Sequence, residues 1–152
     1  MTTQYLAESW NGSLFELVEP AFVWPVWKTV EPLIEKALDY AHGLISVDDV
    51  RSGLERGDMQ LWLSWHENEI EAVFVTEIEP HPGGKVLNFT AVGGRNRDNW
   101  LEFEAVISNW ASKHGCRELR AIGRTGWKRA AKGWSPAGTI IRKPIDGLIQ
   151  QG

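Results

Sequence analysis

Six cations crowd one short stretch of this chain: Arg117, Arg120, Arg124, Lys128, Arg129 and Lys132. Clustered cations neutralise phosphate, so the stretch suits a phosphorylated ligand; with Trp127 and Trp134 nearby as stacking surfaces it also suits nucleic acid. The plainer reading is a solvated face whose charge is balanced by the rest of the chain. That balance is uneven along the sequence: residues 1–84 hold 15 acidic and 4 basic side chains, and residues 85–152 hold 5 acidic and 12 basic, within a net charge of -4. A second feature is Gly93-Gly94, followed by Arg95 and Arg97 and then by a helical pattern. A helix opening from a glycine-rich turn offers free backbone N–H groups to a pyrophosphate, while the same glycines also suit a bulge or a strand-ending turn.

Other reactive patterns are missing. The sequence has no Gly-x-Ser-x-Gly elbow, no Walker loop and no His-Glu-x-x-His, and Cys116 lies beside His114 only along the chain. His42, His66, His81 and His114 lack metal-ligand spacing and read as surface or capping residues, so no metal site is expected. A single cysteine cannot form an internal disulfide, and Cys116 reads as a small buried residue at a strand start.

The elements that must position these groups follow from periodicity. Residues 1–23 lack a clear period and read as an arm or first strand. From Glu31, the apolar residues Leu33, Ile34, Ala37, Leu38 and Ala41 recur at helical spacing, with Pro32 in the first turn and Gly43 as the stop. Ser46 followed by Asp49 forms a capping-box pattern for a short second helix that Gly57 closes.

Period two then takes over. Met59, Leu61, Leu63 and Trp65 share one face of a strand; Ile70, Ala72, Phe74, Thr76 and Ile78 share one face of the next, with His66–Asn68 and Glu69 as the turn between them. Residues 80–84 form a second turn, and a third strand ends at Gly93 and Gly94. Trp100–His114 is helical through Leu101, Ala105, Ile107 and Ala111, with Gly115 as its stop. Residues 117–122 read as a strand, 126–134 as a short helix closed by Gly133, and 137–145 as a last strand. The chain is therefore expected to be α/β with a mixed sheet, an antiparallel meander followed by a βαβ unit.

Length and composition set the frame. The 152 residues, 43% hydrophobic and 24% charged, suit a single domain: an arm at 1–23, a core at 24–144 and a tail at 145–152. No apolar run reaches the length of a membrane span and residues 1–13 lack the pattern of a secretion signal, so a cytoplasmic protein with no membrane partner is expected. The nine tryptophans make the chain tryptophan-rich; most must be core, and Trp62, opposite in parity to Leu61 and Leu63, is the one expected to face a partner, unless a helix covers the second sheet face.

From about Trp24 to Pro144 this order resembles the GNAT acyltransferase superfamily, in which two helices precede an antiparallel meander and a phosphate-binding loop leads into a long helix. NWLEFEAVISNWASKHGCRELRAI is similar to that long helix, its glycine stop and the following strand, and Gly133-Trp134 stands where the family has Gly-Phe. The whole chain is also similar to small GNAT-like proteins of tailed bacteriophages, some of which are virion components.

The resemblance implies a site. Val92, Gly93, Gly94, Arg95 and Arg97 fall where the family holds the pyrophosphate of acetyl-CoA, with Arg124 and Arg129 as further cofactor-binding cations. The loop departs from the family pattern: Asp98 and Trp100 occupy its glycine places, and Arg129 stands where a tyrosine often protonates the leaving thiolate. The catalytic bases implied on the antiparallel strands are Glu71 and Glu77, with Glu79 and His81 as further choices; Glu71 and Glu77 share the parity opposite to the apolar face, which also suits plain exposure. Two functions are implied. One is an acyl-CoA-dependent N-acetyltransferase with a degenerate cofactor loop, whose acidic half receives an amine substrate. The other is a catalytically inactive GNAT-fold phage structural or internal virion protein, or a module that binds protein partners. Nucleic acid is not expected as a partner.

Overall fold

The computed structural model describes residues 7–9, 11–95, 100–122 and 133–145. The chain divides into two compact units, Met1–Ala121 and Ile122–Gly152. The first holds one sheet of six strands in sequence order: β1 (Ala7–Glu8), β2 (Leu14–Val18), β3 (Met59–His66), β4 (Glu69–His81), β5 (Gly84–Gly94) and β6 (Cys116–Ala121). All neighbours are antiparallel except β5 and β6, which are parallel. The parallel pair requires a crossover, supplied by α3 (Trp100–Lys113). The expected mixed α/β architecture is thus observed.

Helix α1 (Val23–Ala37) begins well before the expected start at Glu31. The two prolines concealed this. Pro25 sits in the first turn, where its missing N–H had no partner to lose, and Pro32 sits in the interior, where it forfeits one backbone bond. Burial of Val23, Trp27, Val30 and Ile34 on one face offsets that loss. After α1, Leu38–Ala41 forms a 3-10 turn, and His42 takes a left-handed backbone. Helix α2 (Val47–Arg56) carries the capping box read from the sequence: Ser46 Oγ accepts from Asp49 N–H, the Asp49 carboxylate accepts from Ser46 N–H, and Gly57 closes the helix at φ 82°.

The two helices α1 and α2 pack on one face of the sheet over Leu61, Leu63, Val73, Val75 and Ala91. Helix α3 covers the other face with Phe103, Ile107 and Ala111; Ala105, expected on that apolar face, is exposed. Phe103 stacks on Phe15 at 4.4 Å between ring centroids and meets Phe74 at 4.7 Å, and Trp110 meets the edge of Trp62 at 5.3 Å. Trp62 is therefore not a partner-facing residue: it is fully buried beneath α3, and its indole N–H donates to Thr76 Oγ1 at 2.9 Å. Cys116 is half-buried rather than buried.

The turn expected at 80–84 is confined to residues 82–83, because β4 continues through Pro80 to His81 and β5 begins at Gly84. In the second unit, residues 134–145 carry no regular secondary structure, so the expected last strand at 137–145 is not formed. Its Ile140, Ile141 and Ile145 are exposed. The short helix expected at 126–134 falls on residues outside the described ones except at its last two positions, of which Gly133 is in a turn at φ 86°.

Candidate functional site

Two irregularities in the sheet shape the region around the end of β5. On β4, Trp65 pairs with Ile70 and Ser64 with Ala72, which leaves Glu71 as an extra residue. A bulge of this kind breaks the period-two alternation. Ile70 accordingly packs with Trp65 against the α1 face, while Phe74 joins the rings beneath α3. The expectation that Glu71 shares the exposed parity of Glu77 is therefore wrong. Glu71 is only 2% exposed and accepts a hydrogen bond from Ser64 Oγ at 2.6 Å.

On β5, Val75 pairs with Ala91 and Thr76 with Phe89, so Thr90 is the extra residue. Its carbonyl accepts from the Tyr40 hydroxyl, and Tyr40 lies in the turn after α1. Burial raises the Tyr40 pKa and keeps the hydroxyl protonated as a donor. Neither Tyr40 nor Thr90 was legible as a site residue: one follows an apolar helical pattern and the other lies inside a strand pattern, and only the bulge brings them together.

Parallel pairing of β5 with β6 ends at Phe89↔Ala121, whereas β5 runs on to Gly94. Among the described residues, the backbone of Thr90–Gly94 thus has an edge with no partner strand on the β6 side. The glycines at its end are fitted to protein packing. A Cβ on Gly93 would lie 3.1 Å from the Leu33 carbonyl oxygen, so its lack of a side chain lets α1 approach the strand. Gly94 has φ 114°, and a Cβ there would lie 2.3 Å from the Glu71 carbonyl oxygen. Arg95 N–H donates to that same carbonyl at 2.7 Å, which locks the exit of β5 onto the Glu71 bulge. Val92 pairs with Phe74 and is half-buried.

The Arg95 guanidinium lies 3.3 Å from the Glu69 carboxylate on the surface, and the Trp100 indole N–H donates to the Arg95 carbonyl at 3.3 Å. Trp100 also packs edge-on against Phe74 at 5.5 Å. Its ring thereby sits against the sheet at the first turn of α3. Arg97, Arg124 and Arg129, together with Asp98, lie outside the described residues. Of the basic cluster, Arg117 donates to the Gly83 carbonyl at 3.0 Å and Arg120 pairs with Glu118 at 2.8 Å.

Glu77 has a different setting from Glu71. It pairs in register with Asn88 of β5, on the same side as Val75 and the α1–α2 pair, and is half-buried. Burial raises its pKa, and the nearby carboxylates of Glu79 and Asp58 raise it further. A carboxyl whose pKa is raised is a better proton acceptor when ionised, and the surrounding acids favour a cation beside it. His81 lies 3.6 Å from Glu79 and faces solvent. A separate groove of about 460 Å³ lies between Pro25, Val26 and Thr29 of α1 and Trp65, Asn68, Glu69 and Ile70 of the β3–β4 hairpin; no β5 residue lines it. Among the described residues no three His, Cys, Asp or Glu side chains converge as a metal site, and no described helix is long and apolar enough to cross a membrane.

No family model and no curated protein matches the chain. Solved structures do. An aminoglycoside acetyltransferase from an uncultured soil metagenomic sample, in complex with sisomicin, is 10% identical and superposes with a TM-score of 0.65 over 88% of this chain and 95% of its own. A predicted acetyltransferase with acetyl-CoA from Clostridium acetobutylicum is 10% identical, with a TM-score of 0.64 over 87% and 96% of the two chains. A ribosomal-protein-alanine N-acetyltransferase from Brucella melitensis biovar Abortus 2308 is 12% identical, with a TM-score of 0.58 over 88% and 100%. At these identities the likeness concerns the backbone: the chain shares the mixed α/β fold of these acetyltransferases.

Proposed function

We propose that this chain, taken over residues 1–152 as one domain, transfers an acetyl group from acetyl-CoA to an amine inside the cell. The observation that carries the reading is where the β5–β6 pairing ends: among the described residues the edge of Thr90–Gly94 on the β6 side has no partner strand, and it leads to Arg95 at the end of β5. An unpaired strand edge offers alternating N–H and C=O groups to an extended ligand that carries amides, as the arm of coenzyme A does. The α3 N-terminus and the cations Arg95 and Arg97, with Arg124 and Arg129, would take the phosphates.

Glu77 is the group suited to accept the proton of the attacking amine, and the acids around it suit a cationic acceptor. Attack by the neutral amine nitrogen on the thioester carbonyl forms the amide bond and breaks the carbon–sulfur bond. The amine proton passes to Glu77, and the thiolate of coenzyme A leaves. We assign the base to Glu77 rather than to Glu71, which is enclosed and accepts from Ser64 Oγ.

Calorimetric titration with acetyl-CoA, on the unaltered chain and on the double variant Arg95→Ala, Arg97→Ala, tests the reading. Micromolar binding that weakens at least tenfold in the variant supports it. No heat and no rise in melting temperature at millimolar acetyl-CoA sinks it.

A second reading has its own observation. Arg95 already faces Glu69, and Ile140, Ile141 and Ile145 are exposed. Both suit a GNAT-fold module that has given up catalysis and binds protein partners, the particle-borne role of the phage-like proteins included. Copurification of a defined partner that is lost on changing these isoleucines to serine, together with the absence of acetyl-CoA binding, would favour it.

A further inference from the structure

Helix α1 and the turn that follows it reach β5 at two places. The first is Gly93, where the missing side chain lets the Leu33 carbonyl and Ala37 lie directly on the strand. The second is three residues away, where the Tyr40 hydroxyl donates to the Thr90 carbonyl. Thr90 is the residue that the bulge leaves out of the β4–β5 ladder, and it heads the segment that has no β6 neighbour among the described residues. Close packing at Gly93 already seats α1 on the sheet. The Tyr40 bond therefore bears on the chain just after the helix, the 3-10 turn Leu38–Ala41 and the left-handed pair His42 (φ 51°) and Gly43 (φ 81°). On the same face Asn88 Nδ2 makes a long contact of 3.4 Å with Thr90 Oγ1, and Asn88 is the register partner of Glu77. Tyr40 is thus joined through Thr90 to the strand that carries the Thr90–Gly94 segment and to the neighbour of the candidate base.

We infer that Tyr40 is a positioning residue for acyl transfer: by donating to the Thr90 carbonyl it holds the α1–α2 connection against the bulge and fixes Thr90–Gly94, the segment of β5 to which the proposed function assigns acetyl-CoA. The inference rests on the acetyl-CoA reading of that segment. A hydroxyl that donates to the carbonyl of a residue left without a register partner in β4 ties that residue to the turn after α1, and it does so where a ligand needs the neighbouring backbone held still. Burial raises the Tyr40 pKa, which favours the protonated phenol that donates this bond.

The test is Tyr40→Phe, which keeps the ring and removes only the donor. Three quantities are read: acetyl-CoA affinity by calorimetry, melting temperature, and amide hydrogen exchange at Ala91–Gly94. The expected result is a melting temperature within a few degrees of the unaltered chain, affinity for acetyl-CoA weaker by about tenfold, and faster exchange at those amides. Unchanged affinity with unchanged exchange overturns the inference. If the unaltered chain binds no acetyl-CoA, the reading beneath it falls, and exchange still decides on the tie itself: faster exchange in Tyr40→Phe upholds it, and equal exchange overturns it. Should the phenylalanine variant lose its fold, Tyr40→His supplies a shorter ring with a polar nitrogen; exchange closer to the unaltered chain in that variant supports the tie, and exchange as fast as in a Tyr40→Ala variant overturns it.

Discussion

Beneath α3 the sheet presents rings, with Phe103 at the centre of contacts to Phe15, Trp62 and Phe74. Beneath α1 and α2 it presents aliphatic side chains, Leu61, Leu63, Val73, Val75 and Ala91, and this face gives way at its β5 margin to Glu77, Asn88, Thr90 and Tyr40. The difference separates two tasks. Interlocked rings make the α3 face a stability element whose parts depend on one another, whereas polar groups placed at the margin of the aliphatic face leave its packing intact. The bulges at Glu71 and Thr90 sit where the two tasks meet, because each redirects one side chain without ending the strand.

Truncation on the ring face should have the largest effect. Phe103→Ala is expected to cost about 3–5 kcal/mol in urea unfolding, since it removes a fully buried ring touching three others. A cost near 1 kcal/mol would break the contrast between the faces. Next comes Gly94→Ala, which combines a positive φ with a Cβ driven against the Glu71 carbonyl; roughly 2–3 kcal/mol is expected, along with weakened acetyl-CoA binding, because the exit of β5 must move. A neutral result would show that the strand end yields freely.

Ser46→Ala removes half of the capping box and should cost about 1 kcal/mol while leaving acetyl-CoA affinity unchanged, because it touches neither the bulge nor the β5 edge. A loss of affinity in this variant would tie α2 to the site. The smallest effect on stability, and the sharpest on catalysis, is expected from Glu77→Gln. The Glu77 pKa is raised in the folded chain, so its ionised form opposes folding: the wild-type chain is favoured at pH below the ordinary glutamate value and loses that advantage as pH rises through the raised one. The glutamine variant should match the wild type at low pH and be slightly the more stable at neutral pH, with acetyl transfer reduced at least a hundredfold. Unaltered turnover would remove Glu77 from the reaction.

Several elements were legible because their signals are local. Ser46, Asp49 and Gly57 define α2 through groups within one turn of each helix end, and Gly115 marks the stop of α3 in the same way, with φ 83°. The antiparallel hairpin of β3 and β4 follows from alternating residues on either side of a polar turn. The start of α1 was hidden by Pro25 and Pro32, whose local penalty is outweighed by apolar residues spaced along fifteen positions. At the site, the strand end at Gly93 and Gly94 was legible and β5 does end there, but the glycines serve close backbone contacts with α1 and with the Glu71 bulge.

What the sequence by itself determined is the order and type of most elements, the capped α2, the face of β3 that carries Leu61 and Leu63, and the placement of glycine where β5 ends. These depend on neighbours a few residues apart. Only the tertiary structure decided that Glu71 is buried and Glu77 is not, that Trp62 lies beneath a helix, that the segment 137–145 forms no strand, and that Tyr40 meets Thr90. Each of those outcomes turns on a single extra residue in a strand or on what packs from far along the chain, and alternation read from one strand carries no record of either.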